Sequence, residues 1–277
     1  MIELASKPLL MGILNVTPDS FSDGGRYEST EKALAHAQRM LEEGADILDV
    51  GGESTRPYSI SVSSGQQIHR VIPVIKAIRK HLSPTIPISI DTRLSAVARL
   101  ALAEGATIIN DVSAGLTDPD ILKLAADADC PIILMHMQGT PQTMQNAPQY
   151  THVVDEVIHH LLERVDAAIT AGIAPERLIL DPGIGFGKQA QHDLALIKHL
   201  KRLCDQGYPV LLGASRKKFM QNFAESDHQK GLSITTAATT ALAVMAGAKI
   251  IRVHDVKANR QALDLAWAIK QSESTQD

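Results

Sequence analysis

The chain has 277 residues, of which 44% are apolar and 21% charged, a globular composition with ample material for a core. Lysine plus arginine number 27 against 31 aspartates and glutamates, a formal charge of −4, and aromatics make up only 3%. This excludes the basic footprint of a nonspecific nucleic-acid binder and the stacking platform of a single-strand binder. The longest apolar run, residues 241–248, falls far short of the about 20 residues a membrane helix needs. Cys130 and Cys204 form neither a ligand-spaced pair nor a disulfide scaffold. The opening Met1-Ile-Glu-Leu has no secretory character, and a soluble, cytoplasmic protein is expected.

Short apolar runs recur in chain order at residues 10–15, 47–51, 88–91, 107–111, 131–136, 178–181, 210–213 and 250–253. Each is bounded by Gly, Asp, Asn or His, as parallel strands buried on both faces are. Amphipathic stretches lie between them: 30–43, 95–104, 150–171 and 234–246 each end at a glycine, namely Gly44, Gly105, Gly172 and Gly247. Three of these stops repeat one grammar, helix then Gly-Ala then strand. The alternation predicts an α/β fold, a single (β/α)₈ TIM barrel over residues 1–277 with its site at the C-terminal strand ends. An open doubly wound sheet is the alternative, because alternation does not show closure. Two long connections, 52–65 and 216–230, are expected to be mobile and functional.

Polar residues collect where those runs end: Asn15, Asp91, Asn110, Asp111, His136, Asp181, Arg252 and His254. A single one means little, since Asp and Asn cap helices and form turns, and Asp111 alone reads as a cap. Six of eight strands ending this way is a stronger signal. Arg252 and His254 are two apart and so share a face of their strand, where they offer charge-assisted donors to a phosphate or diphosphate. The bland alternative pairs Arg252 with a neighbouring carboxylate such as Asp255. Asp181-Pro-Gly-Ile-Gly-Phe-Gly-Lys188 fails both nucleotide-loop spacings, so its glycines are expected to let the backbone turn and approach a ligand beside Asp181. No metal-ligand spacing and no serine-hydrolase elbow is present.

Taken together, these segments resemble dihydropteroate synthases, the folate-pathway enzymes targeted by sulfonamides. Met11-Gly-Ile-Leu-Asn-Val-Thr-Pro-Asp-Ser-Phe-Ser-Asp-Gly-Gly25 is similar to the family's first signature and Gly51-Gly-Glu-Ser-Thr-Arg-Pro57 to its second. Asp91-Thr92, Asn110-Asp111, Met135-His-Met-Gln-Gly139, Asp181 to Lys188, Ser215-Arg-Lys217 and Arg252-Val-His254 follow in the family's order. The resemblance implies a transferase joining 6-hydroxymethyl-7,8-dihydropterin diphosphate to p-aminobenzoate. It further implies a pterin site of Asp91, Asn110, Asp181 and Lys217, and a diphosphate site of Asn15, Arg252 and His254 with Mg²⁺ held at Asn15. It places Thr55, Arg56, Pro57, Phe186 and Ser215 at the p-aminobenzoate site, with Asp91, Asp181, Lys217, Arg252 and His254 carrying the chemistry. A homodimer is also implied. Two departures stand out: many family members continue the second signature as Pro-Gly-Ala where this chain has Pro57-Tyr58-Ser59, and Ser-Arg-Lys is followed here by Lys218 and Phe219. The rivals are a methyltetrahydrofolate-dependent corrinoid methyltransferase and an inactive barrel serving as a binding subunit.

Overall fold

A computed structural model describes residues 6–17, 26–55, 58–224 and 228–272. The apolar runs become strands β1 Leu9–Asn15, β2 Ile47–Gly51, β3 Ile88–Asp91, β4 Ile108–Asp111, β5 Ile132–Met135, β6 Leu178–Asp181, β7 Leu211–Leu212 and β8 Ile250–Val253. They pair in parallel in the order β6-β5-β4-β3-β2-β1-β8-β7. The two ends of that order also meet. Leu180 N–H donates to the Pro209 carbonyl at 2.9 Å, and Leu180 bridges Val210 in parallel register. The sheet therefore closes into a (β/α)₈ barrel, which disposes of the open-sheet alternative.

Around it lie α1 Arg26–Glu42, α2 Ser64–His81, α3 Ser95–Ala103, α4 Asp120–Asp127, α5 Val153–Thr170, α6 Ala190–Lys198, α7 Leu200–Cys204, α8 His228–Ala246 and α9 Val256–Gln271. Two bounds differ from expectation for local reasons. Helix α5 starts late because Glu156 accepts from the amides of Thr151 and His152, both at 2.7 Å, and thereby caps the turn before it. The connection expected at 216–230 is largely helical: a 3₁₀ segment, Lys218–Phe223, buries Phe219 and Met220, and α8 begins at His228. The repeated Gly-Ala grammar has one geometry. Gly44, Gly105 and Gly247 sit at φ of +99°, +106° and +109°, the left-handed turn that stops a helix with least strain in glycine. Arg79 fastens the Gly105 stop by donating Nε to its carbonyl at 3.0 Å and Nη1 to that of Ile86 at 2.7 Å.

Inside the barrel the period of two sorts the side chains into layers. Met11, Ile47, Ile108, Ile133, Ile179, Leu211 and Ile250 form an apolar plug separate from the larger core between sheet and helices. Two residues further along those strands stand Ile13, Asp49, Asn110, Met135, Asp181, Gly213 and Arg252. The layer above the plug is thus largely polar, and the apolar floor beneath keeps water from its buried charges.

Candidate active site

The mouth is organised by one cation held between two carboxylates. Arg252 Nε donates to Asp49 Oδ2 at 2.6 Å and its Nη2 to Asp91 Oδ2 at 2.7 Å. Asn110 donates through Nδ2 to both Asp49 oxygens at 3.3 and 3.4 Å. Asp49, Asp91 and Asn110 are all buried. Burial pushes the Asp91 carboxyl up to about 7, against the pull of Arg252 and with the repulsion of Asp49, Glu53 and Asp111. For Arg252, burial alone would lower its pKa, but the carboxylates outweigh it and raise it. Asp255 is not its partner; that carboxylate caps α9 by accepting from Ala258 N–H. Two of the five guanidinium donors are spent inside the barrel, and among the described residues the other three meet no hydrogen-bond acceptor.

Asp181 closes β6 beside this cluster. Its Oδ1 accepts from Gly183 N–H at 2.7 Å, and burial raises its pKa against that bond and the nearby Lys217, Arg252 and Lys188. Lys217 is pushed down to about 8, first by burial and then by Arg252. Its Nζ lies 3.9 Å from the centre of the Phe186 ring, a cation–π contact that joins two predicted residues from different loops. Arg216 beside it adopts φ +56°, a strained conformation between Ser215 and Lys217. Ser215 Oγ meets His254 at the ring Nδ1, 3.0 Å, and the backbone N–H, 3.2 Å, so the end of β8 and the Lys217 loop are tied together.

Asn15 and Thr55 lie at the rim. Asn15, half-buried, ends β1 next to Gly51, where a Cβ would lie in van der Waals contact with its Oδ1 at 3.7 Å and with Asp91 Cβ at 3.4 Å. Thr55 is half-buried in the β2 connection, and Arg56 and Pro57 lie outside the described residues, as does the 18–25 part of the first signature. Tyr58, one of the departures noted in the sequence, adopts φ +65°, the left-handed region that favours glycine. An L-residue held there costs on the order of 1 kcal/mol. Its N–H is fixed on the Pro141 carbonyl at 2.9 Å.

Three roles were not visible in the sequence. Asp49 was missed because it stands in mid-strand among apolar neighbours; a carboxylate at an inward position of Ile47-Leu-Asp-Val-Gly51 was the available signal. Glu53 anchors the β2 connection, accepting from Val62 N–H at 3.0 Å and from Arg93 Nη2 at 3.0 Å. Lys188 is buried with its ammonium on the carbonyls of Gly183 (2.9 Å) and Phe186 (3.0 Å) and on His136 Nδ1 (2.9 Å). Burial and Lys188 hold His136 far below the usual imidazole range, so the ring is neutral, and facing the Lys188 ammonium, which can only donate, its Nδ1 accepts. The loop turns tightly, as its glycines lead one to expect. A side chain at Gly183 would come 1.9 Å from the His136 carbonyl and one at Gly187 2.5 Å from that of Gln138, so these two glycines also make room for the neighbouring loop, while one at Gly185 would meet the Lys217 side chain at 2.9 Å. Asp111 caps no helix; it holds the turn that follows β4, accepting from the amides of Ser113 and Gly115.

A model for the pterin binding enzymes matches residues 11–254, with strands β2 to β8 and every described mouth residue inside it. The dihydropteroate synthase of Synechocystis sp. is 44% identical over 269 residues, covering 97% of this chain and 92% of that protein. The chain belongs to the dihydropteroate synthase family. A solved dihydropteroate synthase from Xanthomonas albilineans, in complex with 7,8-dihydropteroate, superposes with a TM-score of 0.87 at 42% identity, covering 98% and 97% of the two chains. Another structure of the Xanthomonas synthase, with 4-aminobenzoic acid, gives 0.88 at 44% identity over 97% and 95%. Membership in this synthase family matches the barrel.

Proposed function

We infer that the chain condenses 6-hydroxymethyl-7,8-dihydropterin diphosphate with p-aminobenzoate, giving 7,8-dihydropteroate and diphosphate, and works as one pterin-binding barrel. The observation that carries this reading is the buried mouth cluster, in which Asp181 and Lys217 stand beside the Asp49–Arg252–Asp91 bridge. Asp181 accepts from the 2-amino group and N3–H of the ring. Lys217 donates to O4 and N5, and Asn110 meets the edge left over. Each such group buried unpaired would cost about 1–3 kcal/mol, which is how the pocket rejects other heterocycles. Arg252 and His254 receive the diphosphate, while Thr55, Arg56, Pro57, Phe186 and Ser215 form the arylamine side.

The bond from the pterin methylene to the diphosphate oxygen breaks, and the electron pair leaves with diphosphate. The methylene carbon, left electron-poor, is attacked by the lone pair of the arylamine, whose surplus proton passes to solvent. Asp91 and Asp181 offset the positive charge that develops on the pterin, while Arg252 and His254 stabilise the leaving anion. The arylamine is neutral at pH 7, so positioning matters more than a general base. No cluster of three or more His, Cys, Asp or Glu suited to a metal occurs among the described residues. A single amide oxygen, that of Asn15, fits Mg²⁺, which takes most of its ligands from phosphate and water. When bound, Mg²⁺ supplies charge neutralisation on the diphosphate.

Diphosphate with Mg²⁺ should raise the melting temperature, because a ligand of the folded state alone stabilises it. A corrinoid methyltransferase has no diphosphate to bind, and an unchanged melting temperature would favour that rival. The pH profile of kcat/KM should be a narrow bell. Asp91 must be ionised, so activity rises with pH through about 7, and Lys217 must be protonated, so it falls above about 8. In Lys217→Arg the residual activity should lose its alkaline limb, because guanidinium stays charged; an unmoved limb would remove Lys217 from this role.

We also propose a homodimer. Ile234, Leu242 and Met245 on α8 and Leu265 and Ile269 on α9 are about half or more exposed on two helices packed together, an apolar face that a second copy would cover. Sedimentation should give twice 29.9 kDa, and the monomer mass would refute this. Among the described residues no helix is long and apolar enough to cross a membrane, and both cysteines are free, which supports placement in the cytoplasm. Recovery in the membrane or secreted fraction would contradict it.

A further inference from the structure

Asp49 holds no substrate in the assignment above, yet its side chain is fully enclosed and serves two groups that do. It accepts from Arg252 Nε at 2.6 Å and from Asn110 Nδ2 at 3.3 and 3.4 Å. A carboxylate accepts only, so the end of the Asn110 amide turned toward it must be nitrogen. One amide proton is therefore committed to Asp49, and the other N–H and Oδ1 are left in a fixed order. The order matters for the ligand class proposed above, on which this inference rests. With the 2-amino group and N3–H on Asp181 and O4 and N5 on Lys217, a 7,8-dihydropterin has one edge left, made of the N1 lone pair and N8–H. That edge carries one acceptor and one donor, the complement of a fixed amide. An oxidised pterin has no proton on N8 and presents two acceptors.

The geometry points to Asp49 as a positioning residue that sets the oxidation-state specificity of the pocket: by fixing the Asn110 amide, it makes the site select dihydropterin over oxidised pterin. Arg252 holds the same carboxylate and is a donor only. In Asp49→Asn, the new amide must turn its oxygen to Arg252 and its nitrogen to Asn110. Asn110 then has to present Oδ1 to residue 49, and its order toward the ligand is reversed. N1 would meet an acceptor in either ring, but N8–H of the dihydropterin would face a donor from which the bare N8 of the oxidised ring can accept, so the dihydropterin would lose its advantage.

The test compares binding of 6-hydroxymethyl-7,8-dihydropterin and oxidised 6-hydroxymethylpterin to the unmutated protein and to Asp49→Asn by calorimetry. The unmutated protein should prefer the reduced ring, and the variant should lose about tenfold of that preference, the size expected when one buried polar pair is mismatched. Equal weakening of both ligands would show that Asp49 only supports the fold and would overturn the proposal. Failure of the unmutated protein to bind either ring would instead overturn the pterin reading, and this inference with it. Hydrogen exchange at the Asn110 side-chain amide of the unmutated protein keeps the idea testable if the variant does not fold. One slowly exchanging proton is expected, and two fast ones would refute the fixed amide.

Discussion

Replacing Asp181 with Asn should lower kcat/KM for the dihydropterin diphosphate by roughly 10²–10⁴, with little change in melting temperature. The estimate counts two hydrogen bonds to a charged acceptor at about 1.5–3 kcal/mol each. Asn is nearly isosteric, and its carbonyl oxygen can still accept from Gly183 N–H, so the turn at the end of β6 survives. Its amide nitrogen, however, would face ring donors with a donor. Steady-state kinetics with either substrate varied, beside a thermal melt, separate lost recognition from lost structure. A decrease of less than tenfold in a folded variant would remove Asp181 from the centre of pterin recognition.

The second large effect is expected on stability as well as turnover. Arg252→Leu leaves Asp49 and Asp91 enclosed without the cation they share. Breaking a buried pair from one side destabilises by about 3–5 kcal/mol. The sign with pH follows from the carboxylates. Asp91 is already raised to about 7 with Arg252 present, and removing the cation raises it further. A carboxyl with a raised folded-state pKa contributes stability below its unfolded value of about 4, lost as pH rises through the folded one. The variant should therefore lose most at neutral and alkaline pH and recover toward acid relative to the parent. Adding Asp49→Asn to Arg252→Leu should return part of the stability, a coupling that independent sites would not show. Strict additivity would mean the bridge is incidental.

The strands were legible because parallel strands buried on both faces are short apolar runs, and a barrel repeats that pattern eight times. Closure was not legible, since it depends on Leu180 meeting Pro209 and Val210 across the ends of the sheet. Arg252 and His254 were readable as a same-face pair from their spacing alone. The partners of Arg252 were not: they lie 161 and 203 residues away in sequence, so nothing local marks them. The Gly183 to Lys188 loop was half-readable. Its turns follow from glycine, but the lysine that folds back onto the loop's own carbonyls is visible only in three dimensions. Tyr58 shows the opposite case: the departure was plain in the sequence, and the positive φ shows that the position is one where glycine would be less strained.

The most direct test of the central claim follows diphosphate and pterin products together. The dihydropterin diphosphate would be incubated with the protein and Mg²⁺, with and without p-aminobenzoate, and both products quantified, the pterin by mass. The mouth geometry predicts diphosphate release matched one to one by dihydropteroate when p-aminobenzoate is present. Diphosphate binding without condensation, or a pterin product lacking the arylamine, would contradict it.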